Sequence, residues 1–283
     1  MAPQDRAGSP RRARLQAGEP VEVALPCDFS PCPPVLLPHP LISSMPTDFF
    51  NLITRLHHGL IVSCQAPVDS PLHEPIVIAA MAQAAVNNGS VGVRIDTPNH
   101  ISAVRARVKV PIIGLWKQVT VGSDVYITPQ FHHAAAVAKA GADIIAIDAT
   151  TRNRPGDELV VNIIARIHHE LGKPVMADVD TIEAAKVAVD AGADIVGTTL
   201  CGYTNATRHL CVPDWELLTQ MVEQLDIPAI CEGGISSPQM ARQALDLGAY
   251  SVVVGTAITG IDSQVKAYKS VMNNQAIALS NLK

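Results

Sequence analysis

Residues 138–148 read A-K-A-G-A-D-I-I-A-I-D, and the same form returns at 189–198 as V-D-A-G-A-D-I-V-G-T and at 245–255 as L-D-L-G-A-Y-S-V-V-V-G. In each, a helical stretch stops at a glycine able to take the left-handed conformation of a helix cap, and an apolar, β-branched run follows almost at once. A helix feeding directly into a buried strand is the repeating unit of a parallel α/β sheet. Outward from these three units the pattern continues in both directions, giving predicted strands at 59–64, 91–95, 111–116, 143–148, 174–178, 194–199, 228–232 and 251–255. Their near-continuous apolarity suits strands covered on both faces. Between them run helical patterns such as 157–171, where Val160, Ile163, Ile164, Ile167 and Leu171 share one face. Eight strand-then-helix units predict a single-domain (β/α)8 TIM barrel over residues 45–283. A doubly wound open sheet is the alternative, but the early G-x-G-x-x-G turn that would favour dinucleotide binding is absent.

Composition narrows the function. Of 283 residues 48% are hydrophobic and 4% aromatic, enough for one large core of small aliphatic side chains. The net charge of -5 and the scattered Lys and Arg residues leave no basic footprint for nucleic acid. The apolar runs are far shorter than the ~20 residues of a membrane span. Cys27, Cys32, Cys64, Cys201, Cys211 and Cys231 form no C-x-x-C pair and no zinc-site spacing, and read as reduced cytoplasmic thiols. Residues 1–44 are Pro- and Arg-rich without periodicity, and are expected to form a disordered tail; Met45, just before M-P-T-D-F-F-N-L-I, would make a natural start. The adjacent pairs His57-His58, His132-His133 and His168-His169 read as surface residues whose rings point apart, so no metal is expected, and no nucleotide loop occurs.

In such a barrel the chemistry gathers at the carboxyl ends of the strands. There the apolar runs close on Gln65, Arg94, Lys117, Asp148, Asp178 and Glu232. Any one of these could be a cap or a satisfied polar group; six on one rim point to a site. Lys117 follows G-L-W, and a stem held against Trp116 and Leu115 would desolvate its amine toward a usable base; a loop-starting surface lysine is the other reading. Glu232 ends I-C-E and is followed by two glycines. The loops E-G-G-I-S-S (232–237) and V-V-G-T-A-I-T (253–259) sit where barrels of this kind bind phosphate, which nominates Gly233, Gly234, Gly255 and Thr256.

The motifs G-L-I-V-S-C-Q-A, V-G-V-R-I, V-P-I-I-G-L-W-K, Y-I-T-P, G-A-D-I-I-A-I-D-A-T, I-V-G-T-T-L-C-G-Y-T, E-G-G-I and V-V-V-G-T-A-I-T, spread over 59–259, resemble the N-acetylmannosamine-6-phosphate 2-epimerases of bacterial sialic acid and amino-sugar catabolism. The resemblance implies a cytoplasmic, cofactor-free isomerase that inverts C2 of N-acetylmannosamine 6-phosphate. It makes Lys117 the acid/base and Glu232 its assistant in ring opening and proton transfer. Gln65, Arg94 and Asp178 would hold the sugar, with Asp148 and Arg154, in D-A-T-T-R-N-R-P, a further signature. The family often has Arg where this chain has Gln118, Gly234 and Gly260. A phosphosugar is the expected partner, neither nucleic acid nor membrane is, and a homodimer suits a barrel of this size. Another phosphosugar isomerase, an aldolase, or a non-catalytic sugar-phosphate sensor are the rival readings. A Schiff base trapped at Lys117 would mark the aldolase, and affinity without turnover the sensor.

Overall fold

The computed structural model describes residues 45–280, and the 1–44 segment read as a tail lies outside them. A short helix α1 (Thr47–Thr54) leads into β1 (Leu60–Cys64), and the chain then alternates. It runs α2 (Pro75–Asn87), β2 (Gly92–Asp96), α3 (Pro98–Arg105), β3 (Ile112–Leu115), α4 (Phe131–Lys139), β4 (Ile144–Asp148) and α5 (Val160–Arg166). The second half holds β5 (Val175–Asp178), α6 (Ile182–Asp190), β6 (Ile195–Gly197), α7 (Trp215–Gln224), β7 (Ala229–Glu232), α8 (Pro238–Asp246), β8 (Ser251–Val254), α9 (Thr256–Thr259) and α10 (Ile261–Ser280). All neighbouring strands are parallel, and β8 pairs back onto β1 through Ile61 and Val253, closing the barrel. No helix among the described residues is long and apolar enough to cross a membrane.

The three repeated helix-to-strand units do what their glycines require. Gly141, Gly192 and Gly248 take φ of 106°, 96° and 94°, and each lets the preceding helix drop straight into the next strand. Helix starts are fixed by side chains: Asp214 accepts from the N–H groups of Glu216 and Leu217, and Ser237 from that of Met240. The predicted helix from 157 begins at Val160 instead, because Pro155–Asp157 forms a 3-10 turn with Gly156 at φ 69°, and beyond Arg166 it widens over Ile167–Leu171. The sixth predicted strand ends at Gly197, where Thr198–Leu200 turn as a 3-10 segment.

Strand parity divides the core into two. Val62, Val93, Ile95, Ile145, Ile147 and Val175 face outward against the helices. Ile61, Ile113, Ile144, Met176, Ile195 and Ile230 face inward and plug the barrel. Toward the carboxyl ends of β1, β2, β5 and β7 the next inward positions are polar: Ser63, Arg94, Asp178 and Glu232. The apolar plug is thus the floor on which the site stands.

Candidate active site

Above that floor lies a cavity of about 720 Å³, open at the carboxyl ends of the strands. Gln65, Arg94, Lys117 and Glu232 line it, from β1, β2, β3 and β7, as the sequence predicted, and Gly233, Gly255 and Thr256 line its β7–β8 side. Arg94 is fully buried. Its Nη1 donates to Asp178 Oδ1 at 3.0 Å and its Nη2 to Oδ2 at 2.6 Å, while Nη1 also pairs with Glu232 Oε2 at 2.8 Å. One guanidinium therefore serves two carboxylates. Against the desolvation that burial imposes, Asp178 and Glu232 hold Arg94 in its charged form. Burial pushes the Glu232 carboxyl up to about 7, with Arg94 pulling it down, Asp178 opposing that and Lys117 lowering it further. A carboxyl titrating there can both give and take a proton near neutrality. Thr199 Oγ1 lies 2.6 Å from Asp178 Oδ1 and 3.3 Å from Glu232 Oε2, and its single hydroxyl proton can serve only one of them at a time.

Lys117 continues β3 and is held by a backbone bridge to Ile127, as the chain folds back after the strand. Its Nζ donates to Gln65 Oε1 at 2.5 Å, and Gln65 Nε2 donates to Ser63 Oγ at 3.0 Å. The lysine is exposed, which fits the reading of a loop-starting residue rather than that of a stem buried against Trp116 and Leu115. The fold-back also brings Tyr126 to the cavity wall. Its phenol is pushed up to about 12, mainly by burial and then by Asp178 and Asp148, and stays protonated.

Several expectations are corrected. Asp178 does not line the cavity; it lies beneath, bracing Arg94 and Thr199. Asp148, on the strand beside it, is also fully buried and takes Arg152 at 2.7 Å and the Thr150 hydroxyl at 2.7 Å. Burial raises its carboxyl. Arg154 is buried away from the cavity, donating to the Pro129 carbonyl at 3.2 Å. Gly234 does not line the cavity either. It takes φ 73°, and a Cβ there would lie 2.6 Å from the Pro213 nitrogen, so this glycine lets two backbone segments cross. At Gly260 a Cβ would meet the Thr256 Cα and carbonyl oxygen at 2.8 Å. The rings of His57 and His58, and of His132 and His133, lie against each other rather than apart, at centroid distances of 4.1 and 3.8 Å. His133 is buried edge-on to Trp116, and burial brings it down to about 4.

Sequence reasoning missed Tyr126, Thr199 and Asp96. Asp96 was within reach, because it shares the parity of Arg94 two residues earlier and so also faces inward.

A family model described as "Putative N-acetylmannosamine-6-phosphate epimerase" matches residues 78–274. A relative from Thermosynechococcus vestitus, named "Putative N-acetylmannosamine-6-phosphate 2-epimerase", is 62% identical over 222 residues, which cover 78% of this chain and 96% of the relative. One of the same name from Cutibacterium acnes is 44% identical over 211 residues, 74% of this chain and 91% of the relative. Among solved structures, the N-acetylmannosamine-6-phosphate 2-epimerase from Clostridium perfringens superposes with a TM-score of 0.75 at 39% identity, covering 77% of this chain and 95% of that one. A thiamine phosphate pyrophosphorylase from Pyrococcus furiosus, at 19% identity and a TM-score of 0.50, shares the fold alone.

Proposed function

The chain belongs to the N-acetylmannosamine-6-phosphate epimerase family, and from that premise we propose that it inverts C2 of N-acetylmannosamine 6-phosphate to give N-acetylglucosamine 6-phosphate by lysine-mediated proton transfer. The observation that carries this reading is the convergence of Lys117, Gln65, Arg94 and Glu232 on one cavity. In the open-chain sugar the C2 hydrogen lies beside the C1 aldehyde, so its loss leaves an enolate whose charge rests on O1. Lys117 takes that proton, with Gln65 orienting its amine. Return of a proton to the opposite face completes the inversion, and the step is redox-neutral. Glu232, titrating near neutrality, exchanges a proton with the ring oxygen as the pyranose opens and closes. Arg94 is the fixed donor nearest Glu232, and Asp178 keeps it in place. Asp148 and Arg154 support the wall from behind. The phosphate lies against the loops after β7 and β8, where the first N–H groups of α9 have no partner within the helix. Gly233, Gly255 and Thr256 let it approach, while Gly234 serves the loop's shape.

The reading includes a cytoplasmic location, which suits a phosphorylated substrate and the free thiols of Cys64, Cys201, Cys211 and Cys231. It also includes a homodimer. Ile261, Val265, Tyr268 and Met272 recur on one stripe of α10 and are all exposed, and beside the start of that helix runs a cavity of about 380 Å³ lined by Leu60, Met81, Ala84, Ala85 and Ile258. A second copy of the chain offers the matching apolar stripe.

Proton NMR of N-acetylmannosamine 6-phosphate incubated with the protein in D2O tests the reaction. The gluco epimer should form with deuterium at C2, and Lys117→Met should abolish both. Binding without turnover would replace the epimerase by a sensor, and borohydride trapping at Lys117 would replace it by an aldolase.

A further inference from the structure

The turn that follows β2 is strained. Thr97 is β-branched yet takes φ 78° with ψ 129°, a region that side-chain-bearing residues of its kind avoid. The surroundings hold it there: its N–H donates to the Leu115 carbonyl at 2.9 Å, its own carbonyl accepts from Ile101 at 3.0 Å, and the His100 ring nitrogen Nδ1 lies 3.1 Å from the Asp96 carbonyl. Strain kept at a cavity wall by such over-determination marks a geometry that matters to the site. Here the geometry belongs to Asp96, whose side chain faces inward and lines the cavity. Asp96 Oδ1 accepts the backbone N–H of Lys117 at 2.9 Å and the Thr97 hydroxyl at 3.2 Å.

We propose that Asp96 is a positioning residue for the Lys117 amine. The inference rests on Lys117 being the acid/base. Lys117 stands just past the end of β3 (Ile112–Leu115), and its exposed side chain makes one hydrogen bond, to Gln65. Its main chain is therefore where the base can be fixed, and the carboxylate grips the peptide N–H from which that side chain springs. The strained turn fixes the carboxylate in its turn. A chain of this kind fixes where Nζ stands relative to a C2 hydrogen, and a displacement of about 1 Å at such a point can cost ~100-fold in rate.

The test compares Asp96→Ala, which removes the acceptor, and Asp96→Ser, whose shorter side chain draws its oxygen back from the Lys117 N–H, with Asp96→Asn, which keeps an oxygen in place without the charge, and with Lys117→Met. Epimerisation is followed by NMR, and folding by circular dichroism. We expect kcat to fall about 10–100-fold in the two truncations, with KM little changed and the fold retained. Asp96→Asn should recover kcat to within a few-fold of the native chain, a rescue that a charge-based role would not give. Native kcat in the truncations, a loss confined to KM, or an Asn variant as slow as the Ala variant would each overturn the proposal. Activity in Lys117→Met would remove the lysine reading and this proposal with it, whereas an inactive Lys117→Met beside a normal Asp96→Ala would remove this proposal alone.

Discussion

Glu232→Gln should make the protein more stable and less active at once. In the folded state the carboxyl titrates near 7 against an ordinary value of 4.5, so the folded chain keeps a proton there that the unfolded chain has already lost. Stability linked to this group is therefore full below about pH 4.5 and is lost as the pH rises through 7. Each pH unit between the two titrations is worth about 1.4 kcal/mol, which bounds the penalty above pH 7 at about 3 kcal/mol. That figure is already net of the attraction to Arg94 and is an upper bound, because an amide does not fully reproduce a group shared among Arg94, Asp178 and Thr199. A net gain of about 1–2 kcal/mol at pH 8 follows, or a Tm rise of roughly 2–8 °C for a domain of this size. Near pH 4.5 the protonated Glu and the Gln are nearly alike and the difference should vanish. Thermal denaturation at pH 5 and pH 8 reads the slope, and the NMR assay should show kcat reduced about 10²–10⁴-fold. A variant less stable than the native chain at pH 8, or a stability difference that does not change with pH, would refute the assignment of a desolvated carboxyl at this position.

Three further outcomes follow from the same geometry. Arg94→Met leaves Asp178 and Glu232 buried together without their cation; it should cost about 3–5 kcal/mol and recover partly in acid, as chemical denaturation at pH 8 and pH 5 would show. Gly234→Ala places a Cβ into the backbone of Val212 and Pro213 at φ 73°; it should destabilise by more than about 1 kcal/mol, measurable as a lowered urea midpoint. On the homodimer reading, Val265→Asp combined with Tyr268→Asp puts charge on the exposed stripe of α10; sedimentation should give dimers for the native chain and monomers for the double variant.

The strands were legible because a parallel barrel buries both faces of each, leaving an apolar run whose end is visible as the first charge. That same end marks the rim, which is why Gln65, Arg94, Lys117 and Glu232 are visible in the sequence as cavity residues. What the run does not encode is depth. Asp178 and Asp148 end their strands as plainly as Glu232 does, yet both lie beneath the cavity wall, paired with Arg94 from β2 and with Arg152 four residues on. Thr199 was hidden when β6 was read as running through it, and Tyr126 because the fold-back after Lys117 follows neither a helical nor a strand period. Gly234 was read as an opening for a ligand; its neighbour turned out to be the peptide of Val212 and Pro213, some twenty residues away in sequence, a contact no local pattern announces.

The positions where the family often carries arginine take on a different sense in this backbone. Gly234 and Gly260 are each too close to another stretch of main chain to hold a side chain without movement, so their glycines are part of how the loops after β7 and β8 close. Gln118 uses its amide on the Lys117 carbonyl at 2.8 Å and so belongs to the fold-back that carries the lysine. The charged side chain that lines the cavity from the start of α10 is Asp262, which accepts from Ser70 at 2.9 Å and ties the loop after β1 to that helix. On the epimerase reading, a phosphate at this end meets backbone N–H groups and hydroxyls such as those of Thr256 and Ser263. Peptide donors of this sort fix an anion by direction more than by net charge. Recognition of the phosphate and the shape of the loops are then one property of the chain, because the glycines that leave no room for a cation are the same ones that set the loops around the anion.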